Sequence, residues 1–140
     1  MAPDRIEREI VVRAPLEDAW AALTEPDRVS SWFGTHTEID LRPGGAVLFV
    51  WKPEERYHAV IEVVEPPHRF AYRWFHEANV TEGPSTRVEF TLEAIEVGTR
   101  IRLVESGFAS VSEGAHWRSD NEKGWTEELG ELAVLLESVA

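Results

Sequence analysis

The chain has 140 residues, of which 43% are hydrophobic and 29% charged, a composition typical of one folded globular domain spanning residues 1–140. Its 26 acidic and 14 basic residues give a net charge of −12, which repels phosphate backbones and anionic lipids and counts against nucleic-acid and membrane partners. The absence of cysteine excludes disulfides and thiolate metal sites, and the lack of a long apolar run or signal-peptide layout predicts a cytoplasmic location.

The first third of the chain predicts one strand and two short helices. Alternation from Ile6 to Arg13 predicts the strand, and Pro15 stands at the first position of the first helix. A second short helix, Pro26 to about Ser31, delivers Trp32 and Phe33 into a glycine turn. We expect this aromatic pair to plug a core.

From residue 36 onward the hydrophobic pattern has a period of two, and turn residues separate successive runs. Consecutive hairpins of this kind imply an antiparallel meander. The predicted strands are His36 to Leu41, Ala46 to Trp51, Arg56 to Glu65, His68 to His76, Thr86 to Ile95 and Arg100 to Glu105.

The C-terminal segment, His116 to about Val139, carries apolar residues at helical spacing and predicts a long amphipathic helix. A sheet with one apolar face and a helix with one apolar stripe bury these surfaces against each other. The sequence therefore predicts an α+β fold in which a curved antiparallel sheet wraps around the C-terminal helix. A cavity between sheet and helix is the candidate ligand site.

Aromatic residues are the main functional signal, because the chain contains six tryptophans that lie in different predicted elements. Strand alternation places Phe70, Tyr72, Trp74 and His76 on one side of their strand and Phe75 on the other. The rings could be core residues only, but many indoles suit a partly wet or ligand-filled cavity. The predicted lining is Trp51, Tyr72, Trp74, His76, Phe90, Glu105, Phe108, Trp117, Asn121 and Trp125.

Three polar residues, His76, Glu105 and Asn121, fall on faces that the pattern turns inward. Each could orient a ligand or polarise a substrate. Alternatively, each lies near the end of an element and reaches water or a neighbouring backbone group.

Sequence motifs for metal, cofactor or covalent chemistry are absent. The five histidines lack zinc-protease spacing, and the chain has no nucleophile elbow, phosphate-binding loop or dinucleotide motif. We therefore predict no metal, no cofactor and no catalytic residue.

Four segments carry a family resemblance: Ala14 to Gly34, Glu65 to Trp74, Thr86 to Phe108 and Glu122 to Leu132. Together they resemble the START-like (SRPBCC) superfamily, in particular the branch of the activator of heat-shock-protein-90 ATPase homologues. The resemblance implies the helix-grip fold. Such proteins include ligand binders, polyketide cyclases, self-sacrificing resistance proteins and co-chaperones, so it does not fix one activity. Only five residues precede the first strand, which counts against chaperone activation.

The leading hypothesis is non-enzymatic binding of a small hydrophobic or aromatic ligand in the cavity. One alternative is a cyclase-like or hydrolase-like enzyme that acts on a polyketide or aromatic metabolite. Another is a stress-related co-chaperone or interaction module with a chaperone partner. A homodimer formed through the first strand also stays open, because an edge strand can pair with a second copy.

Overall fold

The computed structural model describes residues 5–34, 36–52, 55–75, 79, 85–108 and 114–137, with the side chains of all but residues 52 and 114–117. The predicted elements are all present, and Pro15 is the N-cap of the first helix rather than its first helical residue. In chain order they are β1 (Arg5–Val12), α1 (Leu16–Thr24), α2 (Pro26–Val29), β2 (His36–Ile39), β3 (Ala46–Lys52), β4 (Glu55–Glu65), β5 (Arg69–Phe75), β6 (Ser85–Ile95), β7 (Gly98–Ser106) and α3 (Gly114–Glu137).

The strands form one seven-stranded antiparallel sheet in the order β1-β7-β6-β5-β4-β3-β2. Strands β2 to β7 are sequential neighbours, which confirms the meander, and β1 pairs with β7. The register shifts between Val50 and Lys52 and again between Ile61 and Val63. Irregularities of this kind bend a strand and increase its twist, so the sheet curves around α3. The α+β helix-grip fold is confirmed.

Helix α3 lies against the concave face of the sheet through one apolar stripe. Trp125, Leu129, Leu132 and Leu136 are buried and recur every three or four residues, which places them on one helix face. Val134, on the opposite face, is 69% exposed. The same buried cluster contains residues from α1, α2 and every strand except β2, whose partly buried Ile39 packs against it.

The turn after α2 carries the predicted aromatic plug. Trp32 and Phe33 are both buried, and the Trp32 indole donates to the Ala22 carbonyl at 2.8 Å. Gly34 has a φ of 74°, and a Cβ atom there would lie 2.8 Å from the Val50 carbonyl oxygen. The turn therefore requires glycine, and it fixes the Phe33 ring against β3.

The convex face of the sheet is covered by ion pairs. Arg87 pairs with Glu62 at 2.8 Å, Arg69 pairs with Glu89 at 3.0 Å, and Arg73 lies 3.5 Å from Glu62. These partly exposed pairs keep the outer face polar and contribute little to stability. An apolar ligand site therefore belongs on the concave side, next to α3.

Candidate functional site

A pocket of about 300 Å³ lies between α3 and the strands β3, β4 and β5, beside the turn after α2. Most of its wall is aromatic, and its non-aromatic polar side chains carry one amide and three carboxyl groups. The lining residues are Phe33, Trp51, Glu55, Tyr57, Trp74, Phe75, Asp120, Asn121, Gly124, Trp125 and Glu128.

Deeper between sheet and helix the space is filled. The cavity there measures about 10 Å³, with Phe49, Phe70, Tyr72 and Phe90 among the residues around it. A space of this size barely admits one water molecule. Between the sheet and α3, the room for a ligand is therefore the pocket beside the helix rather than the centre of the core.

Glu105 lies directly behind the pocket and is fully buried at the C-terminal end of β7. The Trp74 and Trp125 indoles donate to its carboxylate at 2.7 and 2.8 Å, and the Thr86 hydroxyl donates at 2.5 Å. The Asn121 amide donates to both carboxylate oxygens at 3.1 Å. These donors come from β5, β6 and α3, so one carboxylate joins three elements.

Burial raises the pKa of Glu105 above its ordinary value, while the hydrogen bonds from Thr86, Trp125, Trp74 and Asn121 oppose that rise. An ionised carboxylate is an acceptor only, and its neighbours are all donors. The network is therefore matched to the ionised form.

The Glu105 network also fixes the rings that face the pocket. Because the Trp74 and Trp125 N–H groups donate to Glu105, the rings stack with centroids 5.9 Å apart. Phe33 stacks on Trp125 at 5.4 Å and meets Trp51 edge to face at 4.9 Å. The wall is thus held in place before any ligand arrives.

Acidic groups surround the aromatic wall: Glu55 from β4, and Asp120 and Glu128 from α3. Burial, together with the neighbouring Glu131 and Glu127, raises the pKa of Glu128 to about 7. Its Oε2 atom is buried and has no hydrogen-bond partner among the described residues. Burial and the charge of Glu55 also raise the pKa of Tyr57.

The structure describes the side chains of eight of the ten predicted lining residues and separates these eight into two groups. Trp51, Trp74, Asn121 and Trp125 line the pocket. His76 and the side chain of Trp117 lie outside what the structure describes. Four others are buried in the core or in the network behind the pocket, namely Tyr72, Phe90, Glu105 and Phe108.

Several lining residues were not predicted. The helix period could have identified Asp120, Gly124 and Glu128, because they lie four residues apart on α3, beside the predicted Asn121 and Trp125. Phe75 lines the pocket although alternation placed it on the opposite face from Trp74. Glu55 and Tyr57 also line it, and the period of two could have placed them there, because they alternate with the buried Ala59 and Ile61 on β4. Phe33 lines it from the turn after α2, where no period indicates its position.

The described residues show neither a metal site nor a membrane-spanning helix. They contain no group of three histidine, cysteine or acidic side chains arranged to hold a metal ion. No helix in this part of the chain is long and apolar enough to cross a membrane.

Comparison with protein families gives a decisive match. The model for activator of Hsp90 ATPase homolog 1-like protein matches residues 13–137. The chain belongs to this family. The family resemblance predicted from the sequence is thereby confirmed. No curated protein matches the chain by sequence.

Solved structures of similar fold include DynU16, a protein in the dynemicin biosynthetic locus, with 26% identity and a TM-score of 0.83. The match covers 97% of this chain and 48% of DynU16, so the chain spans about half the length of that protein. CalU16 from Micromonospora echinospora has 27% identity and a TM-score of 0.71, with 96% and 75% covered. The Aha1 dimer from Colwellia psychrerythraea, solved in solution, has 21% identity and a TM-score of 0.79, with 96% of each chain covered.

Proposed function

We propose that this member of the Hsp90 ATPase activator-like family binds a small aromatic or apolar molecule in the pocket between α3 and strands β3 to β5, without transforming it. The observation that carries the proposal is the pocket of about 300 Å³ with its aromatic wall. This volume is at the low end of the range of about 300–1,000 Å³ for small-molecule sites, which favours a compact ligand.

The fixed positions of the aromatic side chains in the pocket wall support ligand binding. Two of its indoles are fixed by Glu105, and Phe33 is fixed by its contacts with Trp125 and Trp51. A wall already ordered in the free protein loses little conformational entropy when a ligand arrives. DynU16, which resembles this chain at 26% identity, belongs to a biosynthetic locus, and this supports a ligand from small-molecule metabolism.

Catalysis by the buried carboxylate is less well supported. A general acid or base must lie within hydrogen-bond reach of the substrate. Glu105 does not line the pocket, and donors from Trp74, Thr86, Trp125 and Asn121 already occupy its oxygens. These contacts favour a role for Glu105 in positioning the wall over a role in chemistry.

The position of β1 at the edge of the sheet supports a homodimer, in which a second copy of the chain is the partner. The strand lies at one end of the described sheet, and Val11 on it is 45% exposed. Arg118 of α3 donates to the Arg5 carbonyl at the start of β1, and the rest of this edge strand can continue a sheet across a two-fold axis. Light scattering would give the mass of a dimer, and a monomer mass would contradict this pairing.

A pair of tryptophan variants tests ligand binding. We expect naphthalene derivatives to quench tryptophan fluorescence and to give a saturable heat in calorimetry. Trp51→Ala removes part of the pocket wall and should weaken binding about tenfold, because it removes one ring from the contact area. Trp20→Ala is the matched control, since Trp20 is also partly buried but packs on Phe70 away from the pocket.

Two outcomes would contradict the proposal. One is that no aromatic or apolar probe gives saturable binding to the intact chain. The other is that Trp20→Ala weakens binding as much as Trp51→Ala, because the site would then lie elsewhere. Circular dichroism of both variants shows whether the fold is intact.

A further inference from the structure

We propose that the ligand of this pocket is an organic cation, an ammonium group attached to a compact aromatic or apolar body. The inference rests on the proposed binding function and adds the charge of the ligand to it. Three features of the pocket support it. Its charged side chains are acidic, most of its hydrogen-bond donors already have an acceptor, and its walls are aromatic.

The charged side chains in the described lining of the pocket are all acidic. Glu55, Asp120 and Glu128 contribute carboxyl groups, and no lysine, arginine or histidine belongs to the lining that the structure describes. An anionic ligand would meet only repulsion from these groups. A cation would be attracted by them, and the net charge of −12 adds to this attraction at longer range.

Hydrogen-bond donors in the lining are already largely in use. The indoles of Trp74 and Trp125 and the amide of Asn121 donate to Glu105. The Trp51 indole and the Tyr57 hydroxyl are the other side-chain donors of the described lining. The pocket therefore offers more acceptors than donors, which suits a ligand that donates hydrogen bonds or carries positive charge.

Glu128 provides the most specific observation. Its Oε2 atom is buried and has no hydrogen-bond partner among the residues that the structure describes. A buried acceptor without a partner is costly, and a carboxylate more so. A cation in the pocket would lie beside the Glu128 carboxyl group and stabilise its ionised form, whereas a neutral hydrocarbon would not.

The aromatic walls add a second attraction for a cation. A positive charge within about 6 Å of a ring centroid is attracted by the electron-rich face, and tryptophan is the best of the aromatic residues for this contact. Trp51, Trp74 and Trp125 supply three indoles to one pocket, with Phe33 packed against all of them. Aromatic rings beside carboxylates thus form a site for an ammonium group.

Other titratable groups near Glu128 act in the same direction. Glu127 and Glu131 lie beside it on α3, Asp120 lines the same pocket from α3, and Glu55 and Tyr57 line it from β4. The first four can carry only negative charge, and Tyr57 can become negative but never positive. A bound cation would favour the ionised form of Glu128 and lower the pKa of this group.

A matched pair of probes tests the charge. Benzyltrimethylammonium is a permanent cation, and 2,2-dimethyl-1-phenylpropane has the same shape with carbon in place of nitrogen. At low ionic strength and a pH of about 8, where Glu128 is mostly ionised, we expect the cation to bind about tenfold more tightly than the isostere. Phenylmethanesulfonate, an anion of similar size, should show no saturable binding.

Glutamine variants test which carboxyl groups cause the preference for the cation. Glu128→Gln and Glu55→Gln should each reduce the preference for the cation over the neutral isostere several-fold, because each removes one carboxyl group from the lining. Glu93→Gln is the matched control, because it removes the same charge from a side chain that is 67% exposed on β6. It should leave both affinities unchanged.

The outcomes separate this inference from the proposed function. If the isostere binds as tightly as the cation and Trp51→Ala weakens both, the pocket binds ligands but the inference about charge is wrong. If Glu93→Gln reduces the preference as much as Glu128→Gln, the attraction comes from the whole molecule, and the inference is again wrong. If neither probe binds, the inference and the proposed function both fail.

Discussion

Glu105 is a buried carboxylate surrounded by neutral donors instead of a cation, as far as the described side chains show. Burial of an ionised group is costly unless hydrogen bonds replace the water that it loses. Here the replacement comes from Trp74, Thr86, Asn121 and Trp125, which belong to three different elements. The carboxylate therefore couples the order of the pocket wall to the stability of the fold.

Replacing this carboxylate by an amide should destabilise the protein. In Glu105→Gln, the amide nitrogen would take the place of one carboxylate oxygen and face an indole N–H or the Asn121 amide, leaving a buried donor without an acceptor. We expect the free energy of unfolding to fall by about 2 kcal/mol, measured by urea denaturation.

The control for this substitution is Glu93→Gln, which makes the same chemical change at a largely exposed side chain. Its free energy of unfolding should stay within about 0.5 kcal/mol of the parent protein. An unchanged stability of Glu105→Gln would show that removing a buried charge offsets the loss of its hydrogen bonds.

Glu128 should give the stability of the protein a dependence on pH. Its pKa is raised from 4.5 to about 7 in the folded state, so between these values the folded protein binds more protons than the unfolded chain. The contribution of Glu128 to stability is then largest below pH 4.5, falls as the pH rises toward 7 and changes little above it. Because the side chain is partly exposed, we expect a change of about 1 kcal/mol after allowing for solvent screening.

Glu128→Gln isolates this effect from the other titrating groups. The difference in unfolding free energy between parent and variant, measured by urea denaturation across this pH range, should change as Glu128 titrates. The other titratable groups are the same in both proteins, so their contributions largely cancel in the difference. A difference that is constant with pH would contradict the raised pKa.

At these sites, the sequence predicts the face on which a residue lies but not its partner. Alternation with Ile101 and Leu103 correctly places Glu105 inside, and the helix period correctly places Asn121 toward the sheet. Their hydrogen bond to each other depends on how α3 lies across β7. That arrangement comes from packing between elements far apart in sequence, which no local pattern contains.

Helix α3 is held against the sheet mainly by the packing of its apolar stripe. Leu132 is 0% exposed within this stripe, so Leu132→Ala leaves a cavity between helix and sheet. We expect the free energy of unfolding to fall by about 3 kcal/mol. Val134→Ala on the exposed face should change it by less than about 0.5 kcal/mol. Urea denaturation of both variants makes the comparison, and equal losses would contradict the orientation of the helix.

The sequence predicts the elements well because their hydrophobic periods are clear, and it predicts the pocket less well. The strands and α3 occur where the alternation and the helical stripe place them. The pocket depends on the irregular end of β3, near the register shift at Val50 and Lys52, and on the end of β5, where Phe75 joins the lining. Phe33 reaches it through the turn at Gly34, which brings residues together that are distant in sequence.

At the scale of the whole molecule, charge is distributed unevenly between the two faces of the sheet. On the convex face arginines neutralise glutamates in pairs such as Arg87 with Glu62 and Arg69 with Glu89. The pocket, on the concave side, has carboxyl groups only in its described lining. The low-dielectric walls of the pocket focus the field of these carboxyl groups, so the pocket should attract cations more strongly than the convex face does.

One buried cluster joins all seven strands and the three helices, and this predicts that the chain unfolds as a single domain. Tryptophan fluorescence reports on the core, because the rings of Trp32 and Trp125 are buried there, while far-ultraviolet circular dichroism reports on the backbone. The two signals should give one coincident transition in urea, as a cooperative unit requires. In Leu132→Ala both curves should move to lower urea together and with unchanged slope. A transition seen by only one signal would show that α3 or part of the sheet unfolds separately from the rest.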